Sequence, residues 1–274
     1  FSPDGTRLAV SSSAGEGANV WVLDLSRRVP QKLTGELATR PAWTPDGRSV
    51  TFTSGGVQSG RVWTIRADGG GNVAPLFEFE RAVADAVWSP DGAWLIFRTS
   101  RFGDDPGDIL AWQVGQDDPP IPLVATEFQE LAPTVSPNGR FLAYSSNRSG
   151  LRQIYVQPFP NVNEGMWQLS SEGGIEPIWA KDGKELFYRN LGSGYLVAVE
   201  VETEGSFRIG EERALFPVGR YSENALHPRY DVAPDGQRFA MLRLPTEVED
   251  ASRARMIMIQ NFFTELKEKV GGGR

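Results

Sequence analysis

Cysteine is absent from the 274 residues and histidine occurs once, as His227. The first absence removes disulfides, thiolate nucleophiles and zinc-thiolate sites together. The second leaves a Ser-His-Asp triad a single possible base and excludes a His-Glu-x-x-His zinc helix, which needs two imidazoles. No Gly-x-Ser-x-Gly pentapeptide marks a nucleophile elbow, and the Gly-rich loop, His-Arg-Asp and Asp-Phe-Gly segments of a protein kinase are missing. Positive charge is also scarce: 28 Lys and Arg stand against 35 Asp and Glu, a net charge of −7, with no basic run. That field repels phosphate backbones and anionic lipid, so nucleic acid is not an expected partner. No stretch approaches the roughly 18 to 20 apolar residues of a membrane-spanning helix. No cofactor motif is found either. Gly15-Glu-Gly-Ala-Asn-Val lacks a third glycine and a following helix, and reads as a loop between strands.

What the chain has instead is a turn that returns six times. The copies are Phe1-Ser-Pro-Asp-Gly, Trp43-Thr-Pro-Asp-Gly, Trp88-Ser-Pro-Asp-Gly, Val135-Ser-Pro-Asn-Gly, Trp179-Ala-Lys-Asp-Gly and Val232-Ala-Pro-Asp-Gly. From Asp4 through Asp46, Asp91, Asn138 and Asp182 to Asp235 the steps are 42, 45, 47, 44 and 53 residues. A period in the forties accommodates four short strands and their turns, the unit of a β-propeller blade. Proline presets φ, Asp or Asn bonds its own backbone, and Gly takes the left-handed conformation that closes a hairpin. The fold expected is all-β: about six four-stranded blades, a seventh possible upstream, with the fifth enlarged by the 53-residue step.

Apolar runs follow each turn, as in Ser49-Val-Thr-Phe-Thr, Trp94-Leu-Ile-Phe, Phe141-Leu-Ala-Tyr and Glu185-Leu-Phe-Tyr. A third strand recurs in register, since Trp21, Trp63 and Tyr155 each lie 17 residues beyond the Asp or Asn of their own turn. Fainter outer strands fall around Gln31, Ala74, Ile121, Met166 and Glu212; edge strands that are short and partly polar discourage pairing with other chains. The eight Trp and fifteen Phe are expected in layers between blades. Asn261-Phe-Phe-Thr-Glu-Leu-Lys-Glu-Lys-Val reads as a short amphipathic helix capped by Asn261. The domain division expected is therefore residues 1–260, propeller beginning inside a blade, and 261–274, C-terminal helix and flexible tail. The acidic segments Asp104-Asp105-Pro-Gly-Asp108 and Gln116-Asp117-Asp118 lack the twelve-residue calcium loop and read as solvated loops.

The turns resemble those of TolB-like propellers, with WD-like repeats of the Ser-Pro-Asp-Gly kind. Tyr144-Ser-Ser-Asn-Arg-Ser-Gly-Leu-Arg-Gln-Ile-Tyr-Val adds to the likeness: its Ser-Asn-Arg-x-Gly part is expected as a loop joining second strand to third. The later half, through Tyr155-Val-Gln-Pro-Phe-Pro, Trp167-Gln-Leu-Ser-Ser-Glu-Gly-Gly and Asn261-Phe-Phe-Thr-Glu-Leu-Lys, is similar to the C-terminal propeller of bacterial Ser/Thr protein kinases. That resemblance implies a kinase domain upstream of Phe1, a propeller on the periplasmic or extracytoplasmic side, and a sensing or docking role. It carries over no catalytic residue, because no position here matches one. The function expected is a non-catalytic module for a protein or small-molecule ligand. The alternatives are the gating propeller of a prolyl-oligopeptidase-like peptidase, or a sugar or lactone enzyme acting at the channel.

Aligning each blade on its own turn gives a candidate site. Six positions before the Asp or Asn lie Arg40, Asp85, Ala132, Glu176 and Arg229; two earlier lie Ala38, Val83, Glu130, Gly174 and His227. First strands line a propeller's channel, so Arg40, Asp85, Glu130, Glu176 and Arg229 are expected as a mixed-charge ring at its mouth, with His227 beside it. Salt bridging between neighbouring blades is the competing role.

Overall fold

The computed structural model describes residues 1–12, 17–35, 37–54, 60–99, 107–243 and 255–260. The helix expected over 261–270 and most of the Asp104 cluster lie outside them. Six antiparallel sheets follow one another along the chain. Blade 1 holds β1 (Arg7–Ser12), β2 (Asn19–Asp24) and β3 (Val29–Lys32), and blade 2 holds β4 (Ala38–Trp43), β5 (Ser49–Ser54), β6 (Arg61–Arg66) and β7 (Ala74–Glu78). Blade 3 comprises β8 (Val83–Trp88), β9 (Trp94–Thr99), β10 (Ile109–Gln113) and β11 (Ile121–Val124). Blade 4 comprises β12 (Glu130–Val135), β13 (Phe141–Ser149), β14 (Leu151–Pro158) and β15 (Trp167–Gln168). Blade 5 follows with β16 (Gly174–Trp179), β17 (Glu185–Asn190), β18 (Tyr195–Glu202) and β19 (Arg208–Pro217), and blade 6 with β20 (Tyr230–Val232), β21 (Arg238–Arg243) and β22 (Arg255–Gln260).

All six Pro-Asp-Gly turns form as the sequence predicts. In each, the Gly N–H donates to the carbonyl three residues earlier at 2.8–3.0 Å, and the Gly φ lies between 67° and 72°. A hydroxyl at the first turn position binds the Asp or Asn side chain in four copies, at 2.5 to 2.7 Å. The carboxylate also accepts the N–H two residues on, as from Thr6 and Arg48. The Ser2 hydroxyl, with that N–H bond, holds Asp4 down to about 2. Successive turns nest: a Cβ at Gly47 would lie 3.5 Å from Pro3, at Gly92 3.7 Å from Pro45, at Gly183 3.8 Å from Pro137, and at Gly5 3.0 Å from Pro234. The last of these contacts closes the ring, since Gly5 opens blade 1 and Pro234 belongs to blade 6. Gly139 and Gly236 have no such neighbour, although the turn before Gly139 keeps its proline, Pro90, where the turn before Gly236 has Lys181.

The core is divided among the blade interfaces. Phe141 and Ala143 of β13 pack with Trp179, Leu186 and Tyr188 of blade 5, whereas Leu142 and Tyr144 pack with Ile96, Ile109 and Ala111 of blade 3. Period-two alternation thus sends neighbouring residues to opposite interfaces, and a run apolar at every position results. Equivalent clusters join blades 1 and 2, 2 and 3, and 5 and 6. Two sequence expectations change in detail. The Ser-Asn-Arg-Ser-Gly segment is not a loop: β13 and β14 continue through it as one hairpin, pairing Ser149 with Leu151 around Gly150 at φ 90°. The extra length before blade 6 is taken up by the ten-residue β19 and the crossing segment 218–229.

Candidate functional site

The first strands of blades 2 to 5 share a local distortion. In β4, β12 and β16 the pairing with the second strand slips by one residue, so that Arg40-Pro41, Ala132-Pro133 and Glu176-Pro177 each stand opposite a single residue. Each proline lacks a ladder donor and so favours a bulge. The residue before it sits at positive φ: 55° at Arg40, 53° at Ala132, 58° at Glu176. In β8, which has Ala86 at the equivalent place, the slip falls between Val83 and Asp85 and no positive φ accompanies it. Left-handed backbone at non-glycine residues is uncommon, and a bulge re-aims the side chain it carries. The sequence shows the cause as a proline five positions before the turn Asp or Asn: Pro41, Pro133 and Pro177.

Two arginines complete the charge arrangement, and the sequence reading did not single them out. Arg98 of β9 binds Asp85 at 3.2 Å, and Arg189 of β17 binds Glu176 at 2.8 Å. Both guanidinium groups are buried, 2% and 1% exposed. Each lies seven residues after its turn Asp, at the end of an apolar run where a charge would ordinarily be taken to reach solvent. Glu176 is satisfied further by the backbone N–H of Asn224 at 2.6 Å and of Arg229 at 3.2 Å, while Arg189 donates to the Ser222 carbonyl at 2.8 Å. The salt bridges therefore run within blades, from first strand to second, rather than between neighbours. The link from blade 5 to blade 6 is made by hydrogen bonds to backbone.

Four of the six expected residues share one electrostatic neighbourhood. His227 feels Arg40, Asp85, Arg229 and Arg98, and Arg40 feels Asp85, Arg98 and Arg229. Arg40 and Asp85 belong to blades 2 and 3 and the other two to the segment leading into blade 6, so the interaction crosses the centre of the ring. Burial, reinforced by Arg40, pushes the His227 imidazole down to about 4, so it is neutral near pH 7. Burial likewise lowers Arg40, against the pull of Asp85. Glu176 adjoins the group through the Arg229 N–H. Glu130 stands apart: its Oε1 accepts the hydroxyls of Thr126 at 2.7 Å and Ser146 at 3.3 Å, and the charges around it are Arg148 and Asp108. Its position two residues earlier on the strand directs it to the second strand of its own blade, and burial raises its carboxyl. The Oδ1 of Asp85, Oε2 of Glu130 and Nδ1 of His227 are buried without a hydrogen-bond partner. Among the described residues no three carboxylates or imidazoles converge in a way that would hold a metal ion.

Six consecutive antiparallel sheets, each with a Pro-Asp-Gly-type turn leading into its first strand in blade 1 and its second in the others, define a six-bladed propeller of the Ser-Pro-Asp-Gly type. The family model for the TolB beta propeller domain (PD40) matches residues 1–140, and the chain belongs to that family. It is 25% identical over 202 residues to the uncharacterized protein Atu1656 of Agrobacterium fabrum, a match spanning 69% of this chain and 67% of that one. It is 30% identical over 108 residues to the uncharacterized peptidase YuxL of Bacillus subtilis, spanning 36% of this chain and only 16% of that protein. TolB from Acinetobacter baumannii superposes with a TM-score of 0.68 at 16% identity, over 95% of this chain and 62% of its own. At that identity the likeness is one of fold. Among the described residues no helix is long and apolar enough to cross a membrane.

Proposed function

We propose that this propeller is a non-catalytic recognition module that binds a protein or small-molecule ligand at its channel mouth through Arg40, Asp85, His227 and Arg229. The observation that supports this reading is the electrostatic coupling of Arg40 of blade 2, Asp85 of blade 3, and His227 and Arg229 of the approach to blade 6, with Asp85 Oδ1 and His227 Nδ1 left without hydrogen-bond partners. Convergent polar groups in a concavity are the usual form of a ligand site. Residues 1–260 form the propeller in this reading, and 261–274 an appended helix and tail. The resemblance of the later half to the C-terminal propeller of bacterial Ser/Thr kinases supports a sensing or docking role within a larger extracytoplasmic assembly. A screen of metabolites and peptides by thermal shift tests it: ligands that stabilise the wild type and fail to stabilise Arg40→Ala and Arg229→Ala are expected. Ligands that shift all three proteins equally would place recognition elsewhere. The purified chain is expected to hydrolyse no ester or peptide and to transfer no phosphate, and turnover abolished by mutating one of its residues would overturn the non-catalytic reading.

The partial match to YuxL favours a second reading, a propeller gating a peptidase domain. In that case the parent gene encodes a Gly-x-Ser-x-Gly elbow downstream, whereas the first reading requires kinase motifs upstream. Sequencing the flanking gene separates them.

A further inference from the structure

The charges at the channel mouth do not balance. Three guanidinium groups, Arg40, Arg98 and Arg229, act electrostatically on His227 together with one carboxylate, Asp85. That carboxylate is already engaged by Arg98, and the nearest other, Glu176, is committed to Arg189 and to two backbone N–H groups. Arg40 has no carboxylate within ion-pair distance among the described residues, and Arg229 has a single side-chain bond, 3.0 Å to the Ser222 hydroxyl. Two positive charges are thus left partly buried and mutually repulsive in a chain whose net charge is −7. Such an arrangement lowers stability unless an anion occupies it. Arg40 is moreover held in left-handed backbone ahead of Pro41, a strained conformation of the kind that fixes side chains at ligand sites.

We infer that the mouth is an oxyanion site, in which Arg40 and Arg229 grip a carboxylate or phosphate group of a small molecule beside the His227 imidazole. Guanidinium groups suit this because their paired N–H donors match the oxygens of both anions. The orphan atoms add a second requirement. Asp85 Oδ1 is a buried acceptor with no donor, and His227 Nδ1 is a buried nitrogen with no partner. A hydroxyl or acidic O–H on the ligand would satisfy them, so hydroxy acids and phosphate monoanions are the chemical class indicated. The inference rests on the recognition reading for its biological role, though not for its chemistry.

The single histidine makes the test direct, since the protein has only one imidazole to observe. Inorganic phosphate and malate are titrated into the wild-type chain at ionic strength held constant with chloride, while the His227 ring resonances are followed by NMR. Saturable shifts are expected, together with a rise of the imidazole titration from about 4 as the anion offsets Arg40, Asp85 being already present and Arg98 and Arg229 fixed. In Arg40→Ala and in Arg229→Met, loss of a charge-assisted contact should weaken binding by about tenfold or more, with thermal midpoints confirming that both variants fold. Non-saturating shifts, or equal affinity in both folded variants, would overturn the inference. If neither probe binds but an uncharged ligand or a protein binds in an Arg40-dependent way, the anion chemistry fails and the recognition reading stands. If both probes bind as expected yet every identified partner ignores the two substitutions, the site stands and the recognition reading fails.

Discussion

Gly139 has a φ of 72°, and a Cβ built there would meet no atom within 4 Å. Substitution at this turn therefore tests backbone conformation alone, free of steric crowding. Gly139→Val should cost roughly 1 to 3 kcal/mol, and Gly139→Asn much less, because Asn tolerates the left-handed region. Urea midpoints of the two variants check this, and equal midpoints would contradict the conformational account. His227 gives the second prediction at this scale. Its folded value, about 4, lies below its ordinary 6.5, so between those two pH values the unfolded chain holds a proton that the folded chain refuses. Its contribution to stability is full above pH 6.5, is lost as the pH falls, and levels off near 4. Glu130 and Glu176, raised by burial, act with the opposite sign on the same side of neutrality. The comparison of wild type with His227→Gln isolates the imidazole: between pH 7 and 4.5 the variant should lose less stability than the wild type. A greater loss in the variant would show that the imidazole is protonated when folded.

At the scale of the strand, legibility was uneven for a physical reason. Turns are specified by residues whose own conformational limits write the backbone, so Pro, Asp and Gly at fixed spacing placed all six. The apolar runs after them located the second strands, and Trp21, Trp63 and Tyr155 the third. The site was harder. Arg40, Asp85, His227 and Arg229 could be aligned through the turn register, yet Arg98 and Arg189 look like ordinary strand-terminal charges, and only packing shows that they are buried against carboxylates. The bulges have a sequence signal in Pro41, Pro133 and Pro177 that the turn register alone did not bring out, and a proline in a strand does not announce the sign of φ at the residue before it. The Glu176–Arg189 pair should behave as a unit. Removing either partner leaves a buried charge uncompensated, so Arg189→Met and Glu176→Gln should each cost about 3 to 5 kcal/mol. The double variant should cost clearly less than their sum, and strict additivity in the double-mutant cycle would mean that the pair is not coupled.

For the whole molecule the governing fact is that each blade is stabilised by its neighbours. Among the described residues the apolar clusters lie in layers between consecutive blades, and four of the six turns nest Gly on Pro, including Gly5 on Pro234. Arg238 over the Phe1 ring, 5.8 Å from its centroid, adds to that closing contact. A lone four-stranded sheet of some forty residues could not cover both its faces, so blades should not unfold one at a time. Phe207 tests this because it serves a single interface. It is 3% exposed and meets Phe141 and Trp167 of blade 4 and Trp179 of its own blade 5, at centroid distances of 5.2, 5.2 and 6.3 Å. Phe207→Ala should cost about 3 to 5 kcal/mol through the cavity it leaves. Both blades remain gripped from their other sides by the clusters joining 3 to 4 and 5 to 6, so the loss is shared by the ring. Tryptophan fluorescence and far-UV circular dichroism should therefore shift to lower denaturant together, as one transition. A fluorescence transition that separates from the circular dichroism transition in Phe207→Ala would show that the ring can open at one interface while the remaining blades stay folded.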